Sequence, residues 1–444
     1  MKVFKVGASV LLLVIVMASL VLAQGGTTTT NIQVQNLSSK AAHCTITYYN
    51  KDGTVALSYD FTIDPNGTWA KYQGSETKLP EGFDGSVVVS ADQPIAAIVN
   101  QATTGSVNRS SSYSGESAGA TGVYVPIAMK SFYGFETELS IQNASGGNVD
   151  VTISYYDSTG TLVAGANDTC TSLAPGAVCR VNQGKNGTLP INFNGSAYVN
   201  ATGAVVVVAN QNGVNSSTSA DQQNSFNGFA SGAKTVYIPS VMDAFYGFTT
   251  AIQVQNIGSN AADITITYSD GIVKTAKGVQ PKQSTFFYLW TEGHAARFNG
   301  SATVTSSEDI VAIANVSDGA QSSAYNGFGG GGTQFVLPSV LKDFYEYSSS
   351  ITIQNVSGGN VDCAVTYDDG KPAIAAIGTL TGMKPGESAV LVNRNESHAS
   401  KYQGSATVVC TGDVVAIVNQ GPDPNYASKY TGFDASVAYN GMTP

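Results

Sequence analysis

Internal repetition is the sequence feature that most constrains the fold of this chain. Four stretches of 19 residues align without a gap, and each has Gly-Ser at its third and fourth positions. These GS signatures begin at Phe83, Phe193, Phe298 and Tyr402. A shorter motif ending in Gln-Asn, the QN motif, precedes each of them and ends at Asn36, Asn143, Asn256 and Asn355. Self-similarity at a fixed period indicates copies of one folding unit, so the sequence predicts four tandem modules.

Within a module, apolar residues alternate with polar ones. The stretch 149–155, VDVTISY, and the stretch 263–268, DITITY, are two examples. Alternation with period two indicates half-buried β-strands, and turn signals such as Asp52-Gly53 and Asp270-Gly271 separate them. About seven short strands in about 100 residues is the size of an immunoglobulin-like β-sandwich. The predicted fold class is therefore all-β, with four tandem immunoglobulin-like β-sandwich modules.

The amino-terminal residues have the pattern of a secretory signal peptide. Lys2 and Lys5 precede an apolar run, and Val21-Leu22-Ala23 offers a cleavage position before Gln24. The run is shorter than the roughly 18 to 20 residues of a membrane-spanning helix, so we expect a secreted protein, extracellular or at the cell surface, without a membrane span. The predicted boundaries are signal peptide 1–23, module 1 at 24–119, module 2 at 120–232, module 3 at 233–331, module 4 at 332–433 and a C-terminal strand or tail at 434–444.

The first strand of each module raises a question about module 1. Strands of the type VYVPIAM begin at Val123, Val236 and Phe335, always 20 residues before the Asn of the next QN motif. The same distance before Asn36 falls at Val16, inside the predicted signal peptide, so the processed module 1 lacks or exchanges this strand. A strand donated by the C-terminal segment of another subunit would fill it and build a head-to-tail filament. The alternative is that this segment, which includes Val437, Ala438 and Tyr439, folds back as the closing strand of module 4.

Five cysteines in an exported chain allow two disulfides. We predict a bond between Cys170 and Cys179 across a turn, and a bond between Cys363 and Cys410 on two predicted strands. Cys44 is then left over. It is either a buried apolar thiol or a bridge to another subunit, and with the three C-terminal residues it completes the subunit-interface candidates.

A compact aromatic group follows three of the first strands, and sequons are frequent. Repetition at a fixed offset beside a module boundary predicts packing in the joint between modules by Phe132, Tyr133, Phe135, Phe245, Tyr246, Phe248, Phe344, Tyr345 and Tyr347. The chain has 13 N-x-[ST] sequons, which predict either glycans or simply polar turns and strand faces. The glycosylation candidates are Asn66, Asn186, Asn194, Asn299 and Asn355.

Composition and motifs argue against nucleic-acid binding and catalysis. The net charge is −10 and only 12% of residues are charged, whereas nucleic-acid-binding proteins carry basic patches. Gly115 to Gly119 spells G-x-S-x-G, but the motif needs a following helix and here it falls in a linker. The histidines His43, His294 and His398 have no second ligand or carboxylate at metal-site spacing. We expect no enzyme and no cofactor; calcium could bind only at acidic turns such as Asp368-Asp369, without a 12-residue ligand loop.

The modules resemble the tandem immunoglobulin-like β-sandwich repeats of prokaryotic surface-layer, adhesin and filament-forming proteins. The resemblance covers the whole processed chain and rests on architecture. It implies a secreted structural subunit of an extracellular filament, sheath or surface layer, with other copies of itself as partners. The alternative is a cell-surface adhesin or carbohydrate-binding array whose partners are glycans or cell-surface polysaccharide. Such an array should keep a set of aromatic and Asp or Asn residues at the same loop positions in every module; the repeated residues here fall mainly on predicted strands and joints, which favours the structural subunit.

Overall fold

The computed structural model describes residues 12–16, 26–105, 108–215, 217–374, 376–423, 425–430 and 433–444. Strands dominate these residues, and their helices are five short 3-10 turns, so the all-β prediction is confirmed. Of the predicted signal peptide, only Leu12–Val16 is described, and the predicted cleavage position before Gln24 lies outside the described residues. No helix among the described residues is long and apolar enough to cross a membrane.

The strands fall within the predicted modules except the first, which lies in the predicted signal peptide, and the last, which lies in the predicted C-terminal segment; each of these two pairs with a strand of the adjoining module. Module 1 holds β1 (Leu12–Val16), β2 (Gly26–Asn36), β3 (Ala42–Asn50), β4 (Val55–Ile63), β5 (Thr68–Tyr72), β6 (Gly85–Ala91), β7 (Ile95–Gly105) and β8 (Arg109–Ser114). Module 2 holds β9 (Ala120–Lys130), β10 (Phe135–Asn143), β11 (Val149–Tyr156), β12 (Asp168–Leu173), β13 (Val178–Asn182), β14 (Phe193–Val214) and β15 (Asp221–Asn227).

The second half of the chain repeats this order of strands. Module 3 holds β16 (Ala233–Asp243), β17 (Thr249–Asn256), β18 (Ala262–Tyr268), β19 (Val273–Val279), β20 (Ser284–Tyr288), β21 (Phe298–Ser317) and β22 (Ser322–Asn326). Module 4 holds β23 (Gly332–Lys342), β24 (Tyr347–Asn355), β25 (Cys363–Tyr367), β26 (Ala376–Ile377), β27 (Ser388–Val392), β28 (Tyr402–Pro422) and β29 (Val437–Asn440).

In each of modules 2, 3 and 4, one long strand connects two groups of strands. In module 2, β14 pairs with β9 and β11 mainly through its first half, and with β10 and β15 through its second half. The long strands β21 and β28 pair in the same way. In module 1 the corresponding stretch is split into β6 and β7 at Asp92–Pro94, where proline has no N–H to give to a ladder. Module 1 therefore has two separate sheets, ordered β1-β6-β3-β4 and β5-β2-β7-β8.

The Asn of the QN motif fastens a turn to a distant strand end. The Asn143 side-chain nitrogen donates to the carbonyls of Gly147 and Leu173, both at 2.7 Å, and its oxygen accepts from the backbone N–H of Ser145. The same three kinds of bond form at Asn36, Asn256 and Asn355. The repeated Asn is therefore a structural residue of the fold.

The C-terminal segment lies in module 4 of its own chain. β29 pairs antiparallel with β28, as β8 does with β7, β15 with β14 and β22 with β21. These four strands are the closing strands of their modules. Val437, Ala438 and Tyr439 are at most 5% exposed. The arrangement corresponds to the fold-back alternative, and the three C-terminal interface candidates are interior residues of this chain.

The modules form a closed ring, because each core accepts a side chain from the next module. In each module, the residue at the sixteenth position of the GS signature enters a neighbouring core. Val208 packs into the core of module 1, Ile313 into that of module 2 and Ile417 into that of module 3. Ile98 of module 1 packs into the core of module 4 and completes the circle.

The closing strands meet at the centre of the ring, where their ends form a cycle of hydrogen bonds. The side-chain nitrogen of Asn227 donates to the carbonyl of Ser114 (2.9 Å), that of Asn326 to Asn227 (2.8 Å) and that of Asn440 to Asn326 (2.6 Å). The Ser114 hydroxyl donates to the carbonyl of Asn440 at 3.4 Å. Each closing strand is thus tied to the next one around the axis.

Asp434 anchors the C-terminal segment to modules 2 and 3. Its carboxylate accepts hydrogen bonds from the backbone N–H groups of Gln223 (2.8 Å) and Ser322 (2.7 Å), and from the Ser322 hydroxyl (2.6 Å). Its backbone carbonyl accepts from the Ser110 hydroxyl of module 1 at 3.0 Å. Burial raises the pKa of the Asp434 carboxyl to about 8, although the hydrogen bonds act in the opposite direction.

Removing the closing strand of module 4 should destabilise a monomer. We expect a chain that ends after Gly432 to lose more than about 3 kcal/mol of unfolding free energy in urea, because the burial of Tyr439 and its neighbours is lost. A chain ending after Met442, which lacks only exposed residues, is the control. Size-exclusion chromatography and negative-stain microscopy should show monomers in all cases; polymers that disappear on truncation would instead indicate strand exchange between subunits.

Titration of Asp434 should make stability depend on pH. A folded-state pKa raised from 3.8 to about 8 means that the folded protein holds this proton more tightly than the unfolded chain does. The resulting stabilisation is complete below about pH 4 and is lost as the pH rises toward 8. We expect Asp434→Asn to reduce this slope in urea unfolding between pH 4 and 8, leaving the part that comes from the raised pKa of Glu116, and Asp413→Asn, at an exposed position, to keep all of it. Equal slopes in the two variants would contradict this assignment.

Candidate functional site

Both predicted disulfides form. Cys170–Cys179 joins β12 to β13, and Cys363–Cys410 joins directly paired residues of β25 and β28. Cys44 is free and 2% exposed in the core of module 1, and burial raises the pKa of its thiol to about 11. A thiol that is buried and protonated cannot reach another subunit, so Cys44 corresponds to the buried alternative. Two disulfides are consistent with an extracellular protein.

The glycosylation candidates fall into two groups. The side-chain nitrogens of Asn186 and Asn355, where a glycan would attach, are buried and donate to two acceptors each. The folded protein has no room for a glycan there, because these Asn residues serve the turns instead. Asn194 and Asn299 are partly buried on long strands, whereas Asn66 is exposed on a turn.

The three aromatic groups form tight turns that present a tyrosine. In module 2 the backbones of Phe132 and Phe135 pair across a two-residue turn of Tyr133 and Gly134. Both Phe side chains pack against the module core, whereas Tyr133 is 71% exposed and has a φ of 49°. Tyr246 and Tyr345 occupy the same place, with φ of 51° and 48° and exposures of 74% and 81%.

The tyrosine tips are exposed, whereas Phe248, Phe344 and Tyr347 line spaces between modules, where the sequence predicts the aromatic groups. A two-residue turn with positive φ turns the side chain of its first residue away from the flanking strands, and sequence spacing alone does not reveal the turn type. A positive φ is uncommon for tyrosine, and backbone strain of this kind concentrates at functional sites. The three tyrosine tips are therefore candidate recognition residues.

Two histidines have carboxylate partners that the sequence analysis missed. His294 contacts the Asp270 carboxylate at 2.8 Å, and His398 contacts that of Asp369 at 2.9 Å. Each histidine lies four residues before a GS signature, and each Asp begins an Asp-Gly turn, so the two pairs are equivalent. The shared distance from the histidine to the GS signature was the sequence signal from which the two pairs could have been predicted. Each pair holds an Asp-Gly turn to the loop that precedes a GS signature.

Equivalent grooves open at two of the joints between modules. The 3–4 groove, of about 370 Å³, is lined by Met242 and Phe248 of module 3 and by Val392 and Asn419 of module 4. The 4–1 groove, of about 360 Å³, lies between modules 4 and 1 and is lined by the counterparts of these residues, Leu341, Tyr347, Tyr72 and Asn100. Pockets of this size between structural units are typical ligand sites.

Aromatic side chains form one wall of the 4–1 groove. Phe344, Tyr345 and Tyr347 come from the aromatic turn of module 4, and Tyr72 comes from the end of β5 in module 1. Tyr345 and Tyr72 are 81% and 52% exposed, so their ring faces are accessible. In the 3–4 groove, Val392 occupies the place of Tyr72. The 4–1 groove is therefore the more aromatic of the two sites.

Uncharged polar groups form the opposite wall of the 4–1 groove. Asn31, Asn100, Gln101 and Thr30 of module 1 line it. The Thr30 hydroxyl and the Asn100 side-chain oxygen are buried and have no hydrogen-bond partner among the described residues. Buried polar atoms are normally satisfied, so these two call for an explanation. Both atoms are closed to solvent, and the equivalent Asn315 oxygen is also without a partner among the described residues, so these oxygens belong to the packed interior and not to the groove surface.

The electrostatic character of the 4–1 groove is neutral. No charged residue lines it among the described residues, whereas Asp318 and Arg394 line the 3–4 groove. No group of three or more His, Cys, Asp or Glu that could hold a metal occurs in the described part of the chain. The groove can therefore stack an apolar ring face and hydrogen-bond a neutral polar edge.

Comparison with family models finds no match, and neither does comparison with curated proteins. Among solved structures, the chain is similar to Thermotoga maritima 1070, with 14% identity and a TM-score of 0.22, over 25% of this chain and 94% of that one. It is also similar to the Anabaena sensory rhodopsin transducer, with 17% identity and a TM-score of 0.16, over 19% and 89% of the two chains. The serine-rich repeat adhesion glycoprotein Srr1 of Streptococcus agalactiae matches with 7% identity and a TM-score of 0.13, over 55% of this chain and 90% of its own.

Proposed function

We propose that this protein is a secreted, non-enzymatic recognition protein, an adhesin or carbohydrate-binding array of four immunoglobulin-like β-sandwich modules. The observation that carries the proposal is the 4–1 groove, whose lining combines four aromatic side chains with uncharged polar side chains. Sugars offer hydroxyl groups along their edges and apolar C–H faces that stack on aromatic rings. Neutral saccharides fit this site, because no charged residue among the described ones lines it.

The closed ring supports recognition by holding the groove in a fixed geometry. The lining of the groove comes from two modules separated by most of the chain, and the packing of Ile98 into module 4 holds these modules together. A preformed site loses little conformational freedom when it binds its ligand. The exposed tips of Tyr133 and Tyr246 add two equivalent aromatic contact points to the same molecule.

A structural role in a filament, sheath or surface layer is the second candidate function. It is favoured by the position of β1, which belongs to the predicted signal peptide and covers an edge of module 1. Removal of this strand would leave a site for contact with another chain. In this role the protein acts as an assembly subunit, and the groove between modules 4 and 1 has no ligand.

Glycan binding tests the first proposal. We expect the secreted chain to retain neutral oligosaccharides on a glycan array, and Tyr72→Ala and Asn100→Ala to raise Kd at least about tenfold, which corresponds to about 1.4 kcal/mol. Each substitution removes one lining side chain: the stacking face of Tyr72 or the polar amide of Asn100. Titration calorimetry with the best array ligand measures the effect.

Tyr133→Ala provides the matched control for these two variants. Tyr133 is a similarly exposed tyrosine outside the 4–1 groove, so its replacement should leave the affinity of the groove unchanged. Equal losses of affinity in all three variants would place the ligand on the exposed tyrosines in general. An array on which the unmodified protein retains no saccharide would overturn the proposal.

A further inference from the structure

The first strand of module 1 occupies the same place as the first strands of the other modules. β1 pairs antiparallel with β6, with Val16 opposite Val87. Val87 is the fifth residue of its GS signature, and the fifth residues of the other signatures pair with β9, β16 and β23 in the same way. The fold of module 1 therefore has a slot for a strand at this edge.

Removal of the predicted signal peptide would empty this slot. Among the described residues, β6 has two neighbours, β1 and β3. Without β1, one edge of β6 would expose a row of backbone groups beside Val87 and Val89, which are fully buried when β1 is present. An open edge that carries apolar residues attracts another strand. The C-terminal segment does not supply it, because β29 closes module 4.

Module 1 departs from the other modules at the end of this slot. Phe229, Phe328 and Met442 follow the closing strands of modules 2, 3 and 4, and their backbones pair with the first strands. Module 1 has Glu116 at this position, and its carboxylate accepts a hydrogen bond from the Asn227 side chain at 2.6 Å. Burial raises the pKa of this carboxyl to about 7. An ionisable side chain therefore replaces an apolar one at this end of the slot in module 1.

We propose that module 1 of the processed protein is an acceptor site for an extended, mainly apolar strand of a partner polypeptide, which adds antiparallel to β6. The residues that fill the slot before processing, LLVIV, define the chemistry of this occupant: at least five residues, apolar and rich in β-branched side chains. Such residues favour strands, and strand addition to a free edge is an established mode of peptide recognition. The site is separate from the 4–1 groove and does not depend on saccharide binding.

Hydrogen exchange on two versions of the chain tests the acceptor site. One version begins at Gln24 and the other at Val10, both secreted behind the same cleavable leader. The amides of residues 85–91 are compared with those of 195–201, their counterparts in module 2. We expect 85–91 to exchange at least about tenfold faster than 195–201 in the Gln24 chain, and to be protected in the Val10 chain.

A peptide added in trans provides the second measurement. A synthetic peptide of residues 10–18 with terminal lysines should restore the protection of 85–91 in the Gln24 chain, and a scrambled peptide should not. The Val10 chain should be insensitive to both peptides. Full protection of 85–91 in the Gln24 chain without peptide, or no response to the peptide, would overturn the proposal. An intact mass showing that the natural secreted protein keeps residues 12–16 would also overturn it, because the slot would then be filled by its own chain.

Discussion

In modules 2 to 4 the long strand, and in module 1 the strand β7, has an edge whose backbone N–H and C=O groups need partners. The strand that supplies these partners also connects each module to its neighbours. The second halves of β14, β21 and β28, and the separate strand β7, are each paired by a closing strand. The four closing strands also contact one another, so the strand that covers this edge also forms contacts with neighbouring modules. Unpaired backbone groups are costly away from water, and this cost links the stability of each module to the closure of the ring.

The sequence predicts the strands because its signals are local. Alternation in stretches such as 149–155 and the two disulfides followed from residue type and spacing, and the structure contains them. The ring did not follow, since Ile98, Val208, Ile313 and Ile417 look like ordinary core residues of their own strands. Their position in the core of a neighbouring module depends on how the modules pack against one another. The alternation of apolar and polar residues within one module carries no information about that packing. Many sequons also reflect local structure that the motif alone does not reveal. Asn143 and Asn355 hold turns that contain a Ser two residues later, and this spacing by itself spells N-x-S.

The groove was outside the reach of sequence reasoning for a related reason. Tyr72 and Tyr345 are separated by most of the chain, and they form one wall only because module 4 returns to module 1. The sequence did reveal the repeated aromatic groups, but it did not show that the first residue of a two-residue turn points outward. The unpartnered oxygens of Thr30 and Asn100 become visible only when the surrounding donors are known. The sequence could predict which types of residue are present. It could not predict that residues of modules 1 and 4 lie together in one groove.

Four modules in one chain can diverge, whereas four identical subunits cannot. A symmetric ring of identical subunits would have four identical joints and four identical edges. Here Ser114 replaces an Asn of the axial cycle and Glu116 replaces an apolar residue beside the first strand. Both departures lie in module 1, the module at which the ring closes and whose first strand belongs to the predicted signal peptide. The positions that maintain the fold are shared by all modules, so the unshared positions of module 1 mark where its role differs.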